Sequence, residues 1–146
     1  MSAAEPNTQL LAAAVTASAH AYAPYSGFAV GAAALAADGR VFSAANMENA
    51  SYGLAVCAEV GALQAAASAG ALGLITQMAI VGAPKEQPAT GQIVTPCGRC
   101  RQLILESAQL GTHDIVIHCA DTALSVVRSF LIADLLPHAF GPANLR

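Results

Sequence analysis

Two short stretches far apart in the chain, Cys57-Ala58-Glu59 and Pro96-Cys97-Gly98-Arg99-Cys100, constrain what this sequence can fold into more than anything else in it. Each is followed by a run that reads as a helix. Brought together, they offer three thiolates, which fill three corners of a tetrahedral zinc site and leave the fourth for water. A purely structural site normally closes with a fourth protein ligand. A carboxylate two residues from a ligand can reach that water and carry its protons. The pattern therefore favours catalysis over scaffolding. It also demands a fold in which two helix N-termini meet, an arrangement that suits thiolates, because a helix N-terminus favours negative charge and lowers a cysteine pKa. Pro96 fits a helix entry and not an interior, and Cys97 and Cys100, three apart, share a helix face.

Taken alone, Cys-x-x-Cys reads equally as a redox pair, half of a zinc knuckle or two core cysteines. The upstream Cys-x-Glu is what turns the reading towards a metal. The fourth cysteine, Cys119, lies in an apolar run from Ile115 and reads as a buried strand residue, not a ligand.

At 146 residues the chain is expected to form one domain, residues 1–146, with Met1 to Pro6 disordered. Apolar residues make up 55% of it and charged residues 10%, a thin charged surface that points to apolar area buried between subunits. The net charge is −3 and Lys85 is the only lysine, so there is no basic footprint for nucleic acid and a small substrate is expected. No unbroken apolar run approaches the ~18 residues of a membrane span. No basic-then-apolar leader is evident, so a cytoplasmic, reducing setting with free thiols is expected.

Taken in order, Asn7 or Thr8 caps a helix to about Ala21. Pro24 and Gly27 break it, and a strand runs from Phe28 to Leu35. Asp38-Gly39 is a hairpin signal, with Arg40 to Ala45 returning. A polar loop leads into a helix from Cys57 to about Ala69. Gln77 to Val81 is a strand, residues 82–95 are a surface loop, and a helix runs from Cys97 to about Gln109. Ile115 to Cys119 is a strand, Ala123 to Val127 a last short strand, and Phe130 to Leu136 a short helix. Strands separated by helices predict an α/β fold with parallel or mixed pairing and helices on the sheet faces.

Several further motifs stand in order: Tyr25-Ser26-Gly27-Phe28 with Val30-Gly31-Ala32-Ala33, Asn46-Met47-Glu48-Asn49-Ala50-Ser51-Tyr52-Gly53, Cys57-Ala58-Glu59, Pro96 to Gln102, Leu135-Leu136-Pro137 and Phe140-Gly141. With them the chain resembles, nearly end to end, the zinc-dependent cytidine deaminases of the homotetrameric kind. That resemblance implies a three-layer fold with a mixed five-stranded sheet flanked by helices. It implies one Zn²⁺ per chain on Cys57, Cys97 and Cys100, and Glu59 as the proton carrier. It further implies cytidine and deoxycytidine as substrates, deaminated in pyrimidine salvage. It assigns Asn46 and Glu48 to the ribose, Phe28 to the base and Ala58 to the substrate. Tyr52 and Phe140 are assigned to a neighbouring subunit's site in a homotetramer. Residue by residue, Asn46 is also a common turn residue, whereas glutamate has no turn role of its own. Phe28 also reads as strand core, and Tyr52 and Phe140 as local packing.

One position departs from the pattern: Val60 stands where many relatives carry an arginine beside the thiolates. Retention of Asn46 and Glu48 favours a nucleoside over another aminated ring. Glu59 speaks against a zinc-stabilised binding protein, and the charge balance against nucleic-acid editing.

Overall fold

The computed structural model describes residues 5–146. The disorder expected of Met1 to Pro6 lies, for the first four positions, outside the described residues; Glu5 and Pro6 are exposed and without regular structure.

Helix α1 (Thr8–Ser18) starts where Asn7 Oδ1 accepts the Leu10 N–H at 3.0 Å, a side-chain cap that satisfies one of the helix's free donors. It ends earlier than the sequence suggests. His20 and Ala21 donate back three residues instead of four, and Tyr22 leaves to bridge Met47. Strands β1 (Phe28–Ala36) and β2 (Val41–Ala45) form the expected hairpin. Helix α2 spans Ala58–Ser68 and α3 Gly98–Gly111, so Cys57 and Cys97 stand one residue before their helices, at the N-cap positions.

Strand β3 (Ile75–Pro84) is longer than expected at both ends. Its last three residues, read as the start of a loop, pair with Val30, Ala29 and Phe28 of β1. Glycine at Gly82 serves packing there, since a Cβ would sit 3.0 Å from Val94 and 3.1 Å from the Phe28 ring. Strand β4 covers Val116–Ala120. The segment expected as a strand from Ala123 is instead a turn: Asp121 accepts the Ser125 N–H at 2.7 Å and Leu124 takes a left-handed φ of 56°. The last strand, β5, is Val127–Leu131, which takes Phe130 out of the expected helix and pairs it with Ile117. Helix α4 is only Ile132–Leu135, because Leu136, ahead of Pro137, is pushed out of the helical region.

The five strands form one mixed sheet in the order β2-β1-β3-β4-β5, parallel only between β3 and β4. Helix α1 covers one face, with Leu10, Leu11 and Ala14 packed on Ala33, Ala79, Val81 and Ala120. Helices α2 and α3 cover the other, where Ala62, Leu63, Ile104 and Leu105 meet Ala32, Ala34, Met78, Ile80 and Ile117. The alanines on the strands let the helices lie close. At Gly31 even alanine is too large, since a Cβ would lie 1.9 Å from the Ala14 carbonyl oxygen. Because α2 and α3 share one face, their N-termini come together at one edge of it. That convergence is what the two cysteine motifs require. No helix among the described residues is long and apolar enough to cross a membrane.

Candidate metal centre and its cavity

Cys57 caps α2 with an extended backbone (φ −71°, ψ 153°), Cys97 caps α3 in the same way (φ −67°, ψ 170°), and Cys100 lies in the first turn of α3. The three sulfur atoms lie within 4.8 Å of one another. Among the described residues no histidine, aspartate, glutamate or further cysteine joins the group. Cys119, on β4, is buried in the core away from it, as expected. Three soft thiolate donors and no fourth protein ligand suit one zinc ion better than calcium or magnesium, which prefer oxygen.

The local electrostatics divide the three sulfurs. Burial pushes the Cys57 and Cys100 thiols up, and the Glu59 charge pushes both further in the same direction. Burial also raises Cys97, but hydrogen bonding from the Cys100 and Arg99 backbone and the other two thiols outweighs it, and its net shift is downward. Cys97 is the exposed member and Cys100 the buried one. Cys57 and Cys100, whose thiols resist ionising in the absence of a cation, would release protons when one binds.

Glu59 follows two residues after Cys57, in the first turn of α2, and is 4% exposed. Burial raises its pKa, against the pull of its own backbone N–H and the Cys100 thiol. A carboxyl whose pKa is raised by burial is better matched to taking up and returning a proton than an ordinary surface carboxylate. Cys57, Ala58, Glu59 and Cys97 line one cavity of about 260 Å³, whose remaining walls include Asn46, Glu48, Val30, Val94 and Thr95.

Asn46 and Glu48 both carry a structural duty, one that the sequence reading denied to Glu48. Glu48 Oε1 accepts the backbone N–H groups of Tyr25 at 3.0 Å and Ser26 at 3.1 Å, and Oε2 accepts the Ser26 hydroxyl at 2.5 Å. Glutamate has no turn role within its own segment; here it holds a turn more than twenty residues away. Hydrogen bonding from Ser26 keeps its carboxyl below the usual range, and so ionised. Asn46 is likewise committed. Its Oδ1 accepts the Val30 N–H at 2.9 Å and its Nδ2 donates to the Phe28 carbonyl at 3.0 Å. Each keeps some capacity: an ionised carboxylate has about four acceptor sites and a carboxamide two N–H groups.

The remaining expected residues fall outside the cavity. Phe28 is half-buried and does not line it; its ring packs over Gly82 beside Val94, which does. Tyr52 is 73% exposed, edge-on to Tyr25 with ring centroids 5.4 Å apart, in an adjoining recess that also reaches Glu48. Phe140 is 62% exposed and its carbonyl is held by Gln102 Nε2 at 2.8 Å. Val94 and Thr95 are wall residues that the sequence reading left in a surface loop. Their position directly ahead of Pro96-Cys97 was the available signal.

Thiols on two helix ends, a buried carboxyl beside them and a cavity opening onto both define a zinc-binding hydrolytic centre. Residues 4–119 match the family described as "Cytidine and deoxycytidylate deaminase zinc-binding region", and the chain belongs to that family of deaminases. It is 44% identical over 132 residues to the cytidine deaminase of Mycobacterium tuberculosis, covering 90% of this chain and 87% of that one. It is 40% identical over 131 residues to that of Halalkalibacterium halodurans, covering 90% and 91%. Its fold superposes on the crystal structure of cytidine deaminase from Burkholderia pseudomallei with a TM-score of 0.81, at 42% identity, over 93% of this chain and 100% of that one.

Proposed function

We propose that the chain, as one deaminase domain, converts cytidine and deoxycytidine to uridine and deoxyuridine with release of ammonia, in cytoplasmic pyrimidine salvage. The observation that carries this is the cluster of Cys57, Cys97 and Cys100, two of whose members line one cavity with the buried Glu59. The relatives named as cytidine deaminases support the choice of substrate.

Cys57, Cys97 and Cys100 would hold the zinc ion, which when bound acidifies water so that hydroxide is available at neutral pH. Glu59 takes one proton from the attacking water and delivers it to the ring nitrogen beside the carbon under attack. As the carbon–nitrogen bond breaks, Glu59 carries the second proton to the departing amino group, which leaves as ammonia. One water is consumed, and the carbonyl and ring N–H of the product account for its remaining atoms. The raised pKa of Glu59 suits both transfers.

At the sugar end, the unused acceptor site of Glu48 and the second N–H of Asn46 bind the ribose, chiefly its 3′-hydroxyl. Their existing bonds to the Tyr25–Val30 backbone hold both side chains in place beforehand. Phe28, whose ring shares the space over Gly82 with the wall residue Val94, lies against the base, and Ala58 contributes to the wall beside Glu59. At about 260 Å³ the cavity is smaller than the ~300–1,000 Å³ usual for small ligands. That supports a homotetramer in which Tyr52 and Phe140, exposed here, close a neighbour's site.

An absorbance assay with zinc-loaded protein tests the reading on cytidine, deoxycytidine and cytosine. Both nucleosides should turn over, with cytosine far behind, because the free base lacks the ribose contacts that Glu48 and Asn46 provide and that contribute to binding the transition state. Equal kcat/KM on cytosine and cytidine would overturn the ribose assignment. No turnover of either nucleoside would overturn the function.

A further inference from the structure

We propose that Arg101 is a positioning residue that fastens the turn before Cys97 and the C-terminal segment leading to Phe140 into one unit, so that the two are set together. This rests on the reading that Cys97 is a zinc ligand and Phe140 serves a neighbouring site. Arg101 follows Cys100 on α3 and is half-buried. Its Nε donates to the Pro96 carbonyl at 2.7 Å, its Nη2 to Thr95 Oγ1 at 3.1 Å and its Nη1 to the Leu135 carbonyl at 2.8 Å. Two of these acceptors belong to the turn that enters Cys97, and the third is the last residue of α4. The next residue, Gln102, holds the Phe140 carbonyl.

This use of an arginine is geometric. The single ion pair among the described residues is Arg40 with Asp38, so no carboxylate competes for the Arg101 fork. Its charge is felt at Cys119, whereas the charges that act on the Cys57 and Cys100 sulfurs are those of Glu59 and the neighbouring thiols. A planar guanidinium reaches three acceptors lying in different directions; a lysine offers the same charge as a mobile point and cannot span them. Without the fork, the Pro96 and Leu135 carbonyls lose their donor. The turn that enters Cys97 then loses the bonds that fix it beside a cluster whose sulfurs all lie within 4.8 Å of one another.

Arg101→Lys, which keeps the charge and removes the fork, tests this. Zinc affinity, read by competition with a chromogenic chelator, should fall by roughly 10–100-fold, the usual cost of losing a partner behind the ligands. In the metal-free protein, hydrogen exchange should quicken at residues 136–145 while the β3 amides stay protected. Zinc affinity within about twofold of the parent, or unchanged exchange at residues 136–145, would overturn the proposal. Should Arg101→Lys fail to protect β3, Thr95→Val removes a single acceptor and should still lower zinc affinity by roughly threefold or more; unchanged affinity there is equally fatal. A parent protein that holds no zinc on the three cysteines would defeat the ligand reading instead. The exchange arm, run without metal, would still decide whether Arg101 ties the two segments.

Discussion

Replacing Glu59 with glutamine should remove proton transfer and leave the metal in place. The structure sets the expected size. The titratable groups lining the cavity are Glu48, Cys57, Glu59 and Cys97. The two cysteines are assigned to zinc. Glu48 is held ionised by Ser26 and the Tyr25–Ser26 backbone, so it has no proton to give and its oxygens face the turn. No other group can stand in. The loss in kcat should therefore lie near the upper end of the ~10²–10⁴-fold range for general acid–base groups, or about 5 kcal/mol of transition-state stabilisation. Zinc content should stay at about one per chain, since three cysteines supply the ligands. A second readout follows from burial. With its pKa raised in the fold, Glu59 holds a proton more tightly than it does in the unfolded chain. The metal-free protein should then lose stability as pH climbs from the usual carboxyl range through the raised value, and Glu59→Gln should lack that slope. Stopped assays on cytidine, elemental analysis and urea unfolding across pH measure the three quantities. A Glu59→Gln variant within about tenfold of the parent kcat would refute the role given to Glu59.

Cys97→Ala should lose most of its zinc by elemental analysis, while Cys119→Ala, removed from the cluster, should keep it; the reverse would show the ligand set to be wrong. Gly31→Ala forces a Cβ onto the α1 backbone, which cannot swing aside as a side chain would, and should cost about 3 kcal/mol, or roughly 6–12 °C in Tm by circular dichroism. A Tm shift below about 2 °C would mean that α1 is not seated on β1 as described. Phe140→Ala changes an exposed side chain and should leave stability within about 0.5 kcal/mol, yet lower activity if a neighbour uses the ring. Mixing Phe140→Ala with Glu59→Gln subunits should then restore part of the activity, and no recovery in verified mixed assemblies would count against shared sites.

The element order was legible because its punctuation is local. Asn7 caps, Asp38-Gly39 turns and Pro96 admits a helix, and each works through its own neighbours in sequence. Each half of the thiol cluster was legible for a related reason, since Cys-x-Glu, Cys-x-x-Cys and helix entry are all short-range, whereas their meeting across forty residues rested on the family resemblance. What escaped depends on distant partners. Gly82 looked like a loop residue until Phe28 and Val94 closed over it. The final strand lay four residues later than expected because Asp121 draws Ser125 into a turn, which an apolar pattern does not reveal. Glu48 spends its carboxylate on backbone more than twenty residues upstream, a contact that exists only once β1 and the polar loop are side by side. Such side-chain-to-backbone bonds across tertiary distance leave no periodic trace in sequence.

Val60 raises the question of what offsets the charge of the cluster. Three thiolates with Zn²⁺ leave one excess negative charge, and Glu59 adds to it when ionised. No arginine follows Glu59, and Arg101 spends its fork on carbonyls. The helices supply the offset. Each N-terminus carries roughly half a positive charge, and two of them, α2 and α3, begin at Cys57 and Cys97. Together they come to about one unit, enough on this simple count to balance the cluster with Glu59 neutral. Burial keeps Glu59 towards its neutral form, so the same low-dielectric setting that poises it for proton transfer also spares the cluster a second negative charge. The α3 share is visible at Cys97, where the first-turn N–H groups of Arg99 and Cys100 help to lower its pKa beside two raised neighbours. An arginine at position 60 would over-compensate a cluster already matched by its helices, unless Glu59 were ionised at the same time.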